Sequence, residues 1–179
     1  MKTKLSIHII GLAILIVKIS ISYSHADHYK NFKKIEMDVY RNGEIIGFSK
    51  YEFINNENIL EVLNNTEFEV KVFGVKFFSI KSKSKERYEN DQLIQFNSKT
   101  LQNDKQKFVN LVYNKNTKKF DIKGSSFNGE APPDTIIGNW WNHKILQTDS
   151  QISPISGSIK KQVVSFVGEE KIEQYGKVY

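Results

Sequence analysis

Cysteine is missing from all 179 residues. No disulfide can staple the fold, no N-terminal cysteine can carry a lipid, and no thiolate can bind zinc. Histidine is scarce, with four in the chain, and only His28 and His143 lie beyond the first 26 residues. Two histidines so far apart, with no thiol, do not make a metal site. Glycine follows neither a Rossmann nor a P-loop pattern, and no Gly-x-Ser-x-Gly elbow occurs. No repeat or coiled-coil heptad is visible, and no cofactor is implied.

What is present begins with a leader. Lys2 and Lys4 precede an apolar run from Leu5 to Val17, and Ser24-His25-Ala26 puts small residues at the −3 and −1 positions of a peptidase site. This pattern predicts a signal peptide over residues 1–26, cleaved before Asp27, and a periplasmic or secreted protein. Lys18 cuts the apolar run short of the ~20 residues that span a bilayer. Residues 27–179 then form one β-rich domain of 153 residues, enough for a core of its own. Removing Lys2, Lys4 and Lys18 from 26 basic residues leaves 23 against 20 acidic ones, a net charge near +3. That modest excess in an exported protein argues against nucleic acid as a partner.

The domain reads as strand and turn. Ile35, Met37 and Val39 alternate with Glu36, Asp38 and Tyr40, the period of a strand with two unlike faces. Asn42-Gly43 then predicts a two-residue hairpin turn. Further strands are expected over Glu44 to Ile54, Ile59 to Val72, Val75 to Glu89, Leu93 to Thr100, Lys105 to Tyr113 and Lys118 to Gly124. A last pair is expected over Ile159 to Val167 and Lys171 to Tyr179, joined at Gly168-Glu169. Gly47 marks a bulge or bend. Strands joined in order by tight turns predict an all-β fold, a curved antiparallel meander or incomplete up-and-down barrel.

One segment breaks the pattern. Ala131 to Leu146 holds both tryptophans and the Pro132-Pro133 pair. Ile136 and Trp140 are four apart, as are Ile137, Trp141 and Ile145, which predicts one short helix with an apolar stripe capped by Asp134. Trp141 is expected to anchor the segment on the sheet, with Trp140 nearer the edge.

Strand 75–89 carries two candidate surfaces. Lys81, Lys83, Lys85 and Arg87 share one face, and they suit an anionic surface such as lipid headgroups, with peripheral membrane contact, or a solvated face that discourages edge pairing. Phe78, Ile80, Ser82, Ser84 and Tyr88 then point inward. Two serines in an aromatic row leave volume that either the tryptophan segment or a ligand must fill. Trp140, Trp141, Ser82, Ser84 and Tyr88 are therefore the candidate ligand-binding residues. No catalytic residue is assigned. A hydrolase would have to use His143 with Asp134.

Asp38-Val39-Tyr40-Arg41-Asn42-Gly43-Glu44-Ile45-Ile46-Gly47 resembles the opening of a bacterial exported family known as domain of unknown function 6134. Phe73-Gly74, Glu86-Arg87-Tyr88, Asp91-Gln92-Leu93, then Ala131, Asp134 and Trp141-Asn142, and Ile155-Ser156-Gly157 resemble its later segments. The resemblance implies an all-β envelope protein and brings no catalytic residues with it. Similar proteins continue beyond the position of Tyr179, so an end at Gly176-Lys177-Val178-Tyr179 reads as a truncation.

Three functions follow as expectations. The first is a non-enzymatic envelope protein that binds a lipid or other amphipathic small molecule on the concave face. The second is a structural or protein-interaction module with a self-filled core. The third is the His143–Asp134 hydrolase. The sequence does not specify an oligomeric state.

Overall fold

The computed structural model describes residues 32–169, 171, 173–174 and 177–178. The expected signal peptide, its cleavage site, His28 and the chain end at Tyr179 lie outside the described residues.

Eight strands form one antiparallel sheet in simple sequence order: β1 (Lys34–Arg41), β2 (Glu44–Asn56), β3 (Ile59–Val72), β4 (Val75–Glu89), β5 (Gln92–Gln102), β6 (Lys105–Asn114), β7 (Lys119–Gly124) and β8 (Asn128–Ala131). The sheet stays open, with β1 at one edge and β8 at the other. The first seven strands match the alternating segments of the sequence. β8 does not, because Asn-Gly-Glu-Ala carries no alternation to read.

Local chemistry sets the turns. Asn42-Gly43, Phe73-Gly74, Asn90-Asp91 and Asn103-Asp104 all hold positive φ at both positions. That is the two-residue turn whose twist matches the twist of paired strands. Gly47 lies beside a register shift between β1 and β2, as expected. A Cβ added there would stand 2.1 Å from the Glu67 carbonyl oxygen. Only glycine lets β2 and β3 approach so closely.

One sheet face is covered. In register across it run Phe53, Val62, Glu86, Phe96, Leu111 and Ile122. The covering element is the chain after β8. It forms a three-stranded sheet of β9 (Ile136–Ile137), β10 (Ser150–Ile152) and β11 (Ile159–Lys161), with β9 parallel and β11 antiparallel to β10. Ile137 and Ile152 are buried together with Phe96, Leu111 and Phe120. Ser98 Oγ donates to the Pro154 carbonyl at 2.5 Å, which ties the cover to β5.

The tryptophan segment differs from expectation. Ile136 and Ile137 are strand, and Trp140-Trp141 sit in a bend. The helix is a single 3-10 turn at His143–Leu146, after the tryptophans. Its N-cap is Asn142, whose side chain accepts from the Lys144 amide, while Asp134 lies in a turn closed by Thr135 N–H to the Pro132 carbonyl. Gly138 and Asn139 interrupt the stripe, and parallel pairing of β9 with β10 takes the backbone bonds a helix would use.

The last hairpin also differs. β11 ends at Lys161 and pairs with β10, and no strand is assigned from Gln162 to Glu169. β12 (Glu173–Gln174) and β13 (Lys177–Val178) pair with each other. Val163, Phe166 and Val167 are exposed, so their alternation has no buried face behind it.

Candidate functional site

β4 presents its residues as the alternation dictates. Lys81, Lys83, Lys85 and Arg87 stand on the outer face. Lys81 pairs with Glu67 at 2.6 Å and Lys85 with Glu61 at 2.8 Å, both across to β3. The stripe is therefore partly neutralised by its own neighbours. The Glu67 carboxylate raises the Lys81 pKa, first by hydrogen bonding and then by charge.

The inner row holds Phe78, Ile80, Ser82, Ser84, Glu86 and Tyr88. Glu86 is the member that sequence reasoning passed over. The parity that sends four cations outward sends this carboxylate inward, and that was the available signal. Glu86 is 1% exposed. Its Oε1 accepts from Trp141 Nε1 at 3.1 Å and from Asn139 Nδ2 at 3.0 Å. Its Oε2 accepts from the Tyr88 hydroxyl at 2.5 Å and from Asn139 Nδ2 at 3.2 Å. Among the described residues no cation pairs with it.

Burial pushes the Glu86 pKa up, because a carboxylate far from water resists ionisation. The bonds from Tyr88, Trp141 and Asn139 oppose that shift. Tyr88 is driven well above the usual phenol range, by burial first and by the charge of Glu86 second. It therefore stays a proton donor.

This cluster pins the tryptophan segment. Trp141 is 6% exposed, and its ring meets Phe53 at 5.3 Å and Tyr88 at 5.8 Å between centroids, both edge to face. Trp140 is 60% exposed. The anchor and the outlying ring fall where the sequence put them, though a bend rather than a helix separates them.

Beside the cluster lies a pocket of about 260 Å³. Its floor is Asn64 and Thr66 of β3, Ser82 and Ser84 of β4, and Phe96 of β5, and its far side is Ile137, Asn139, Trp140 and Ile155. Glu86 contributes to its wall. The floor's polar groups are braced by buried neighbours: Thr66 shares a bond of 2.7 Å with Ser49, as Ser82 does with Thr100, and Asn64 Nδ2 donates to Ser49 Oγ at 3.2 Å. Of the five candidate ligand residues, Ser82, Ser84 and Trp140 line this pocket. Tyr88 instead lines a second pocket of about 290 Å³, together with Asp134, Asn142 and Lys144. Trp141 is packing. Asn64, Thr66, Asn139 and Glu86 were not foreseen, because polar residues on an inward parity declare no role until their partners are known.

His143 opens the 3-10 turn and is half-buried, while Asp134 faces the second pocket. No group of three or more possible metal ligands occurs among the described residues.

A family model described as Domain of unknown function (DUF6134) matches residues 37–179. The chain belongs to that family. No curated protein and no solved structure matches it. The DUF6134 match covers all eight strands of the main sheet beyond the start of β1, and it takes in every residue of the Glu86 cluster and the pocket.

Proposed function

We propose that this DUF6134 protein is a non-enzymatic, exported envelope protein that holds an amphipathic small molecule in the pocket between the inner sheet face and the tryptophan segment. The observation that carries the reading is the pocket itself. It has an exposed indole at its rim, mostly apolar walls into which Glu86 and Asn139 are set, and an uncharged polar floor. Ligand sites of this kind combine mostly apolar lining with a few placed polar groups. About 260 Å³ falls just below the usual range, which suits a single-chain amphiphile.

The leader over residues 1–26 supports export, with the mature chain starting at Asp27. Intact-mass measurement on the periplasmic fraction tests that part, and a retained leader in the membrane fraction would count against it. For binding, the protein is extracted gently and its bound small molecules are identified by mass spectrometry. An amphiphile near one per chain, lost when Ser84→Leu fills the pocket, is the expected result. Its absence from the parent protein removes the reading.

A module that contacts proteins or membranes is the second reading. It is favoured by the β3–β4 hairpin tip, where Phe73, Val75 and Phe77 are exposed.

A further inference from the structure

We propose that the pocket selects a neutral, hydroxyl-bearing amphiphile of the monoacylglycerol or fatty-alcohol class over charged lipids. The inference rests on the ligand-binding reading above and adds the chemistry of the head group.

The floor is built for uncharged hydrogen bonding. Two adjacent rows cross the inner face in register: Ser49, Thr66, Ser82 and Thr100, then Asn64, Ser84 and Ser98 beside them. Most of these groups are already engaged, Ser82 with Thr100 and Ser98 with the Pro154 carbonyl. The Ser84 hydroxyl takes no partner among the described residues, and it faces the pocket. A hydroxyl both donates and accepts, so a ligand hydroxyl matches such a row whichever way the protons point. A site that leaves a polar group open discriminates by hydrogen bonding more sharply than by fit alone.

Glu86 excludes the charged alternatives. It borders the pocket, its carboxylate buried behind the wall with no cation paired to it among the described residues, and the lysines of β4 lie on the other sheet face. A carboxylate or phosphate head entering this low-dielectric space finds no cation to pair with, and wherever Glu86 is ionised it meets like charge. An ammonium head is drawn by the same charge, and what opposes its entry is desolvation. Both Glu86 oxygens are already occupied by Asn139, Trp141 and Tyr88, so the ammonium would lose its water without a free acceptor. The apolar tail has Phe68, Ile80 and Ile155 to lie against.

Tryptophan fluorescence of the purified protein, titrated at pH 7, tests the proposal. The probes are 1-monolauroylglycerol, dodecanoate and dodecylamine, each below its micelle concentration. Monolauroylglycerol should bind at least about tenfold more tightly than either charged probe. Ser84→Val should weaken it about fivefold or more, while Glu86→Gln should bring dodecanoate closer to it. Dodecanoate or dodecylamine binding as tightly as monolauroylglycerol, or a Ser84→Val variant with full affinity, overturns the head-group choice and leaves the pocket reading standing. No binding of any probe overturns both.

Discussion

Glu86→Gln and Glu86→Ala ask what the buried carboxylate does for the fold. Alanine leaves the Trp141 indole N–H, the Asn139 amide and the Tyr88 hydroxyl without their acceptor. Each buried donor left unpaired costs about 1–3 kcal/mol. Three of them would cost about 3–9 kcal/mol, and water entering from the adjoining pocket brings the total toward about 3–5 kcal/mol. Glutamine keeps the shape. Its carbonyl can accept from Trp141 and Asn139 and its amide can donate to the Tyr88 oxygen, which leaves only the Tyr88 proton to find a new acceptor, so at neutral pH it should cost clearly less than alanine.

The pH dependence has a definite sign. Burial raises the folded-state pKa of Glu86 above that of the unfolded chain. The folded protein therefore holds this proton more tightly. Its contribution to stability is full below the ordinary carboxylate range and is lost as pH rises through the raised value. Urea unfolding of the parent and the Gln variant from pH 4 to pH 8 measures this directly. The parent should lose ground to Glu86→Gln as pH rises, by at most about 1.4 kcal/mol per pH unit, the limit for one proton. A difference that stays flat, or that moves in the parent's favour with rising pH, would refute the claim that desolvation outweighs the hydrogen bonds from the three donor residues.

Trp141→Ala should cost about 3–5 kcal/mol in urea melts, while Trp140→Ala should cost clearly less, because only the first ring is packed between Phe53 and Tyr88. Equal losses would show that the exposure of Trp140 misleads. Gly47→Ala should destabilise by about 3 kcal/mol by the same assay, since its Cβ would meet backbone that cannot yield; a neutral substitution would mean that β2 and β3 are not so closely apposed. Replacing Lys81, Lys83 and Lys85 with Gln should leave the thermal midpoint almost unchanged, because these side chains sit in water and the two ion pairs of Lys81 and Lys85 are exposed ones. If the same variant loses salt-sensitive binding to anionic vesicles, the stripe is a contact surface rather than a solvated face.

Strand positions and hairpin turns were legible from the residues because both are local. Alternation over Val75–Glu89 sorts side chains into two faces wherever the strand lies, and Asn42-Gly43 favours positive φ in any context. Local order also failed at definite places. Val163 to Val167 has β-forming residues but no face to bury, so no strand forms there. Ile136 to Ile145 has helical spacing, but β9 found a partner in β10.

What the sequence determined by itself was the all-β meander, its turns, and the outward run of cations. Tertiary structure alone decided what Glu86 touches. Its bonds to Asn139 and Trp141 span 53 and 55 residues, and no local rule links positions so far apart. Whether the inward serines face packing or a pocket was likewise settled only when the chain after β8 crossed the sheet, because volume left on one strand is filled or kept open by elements far away in sequence.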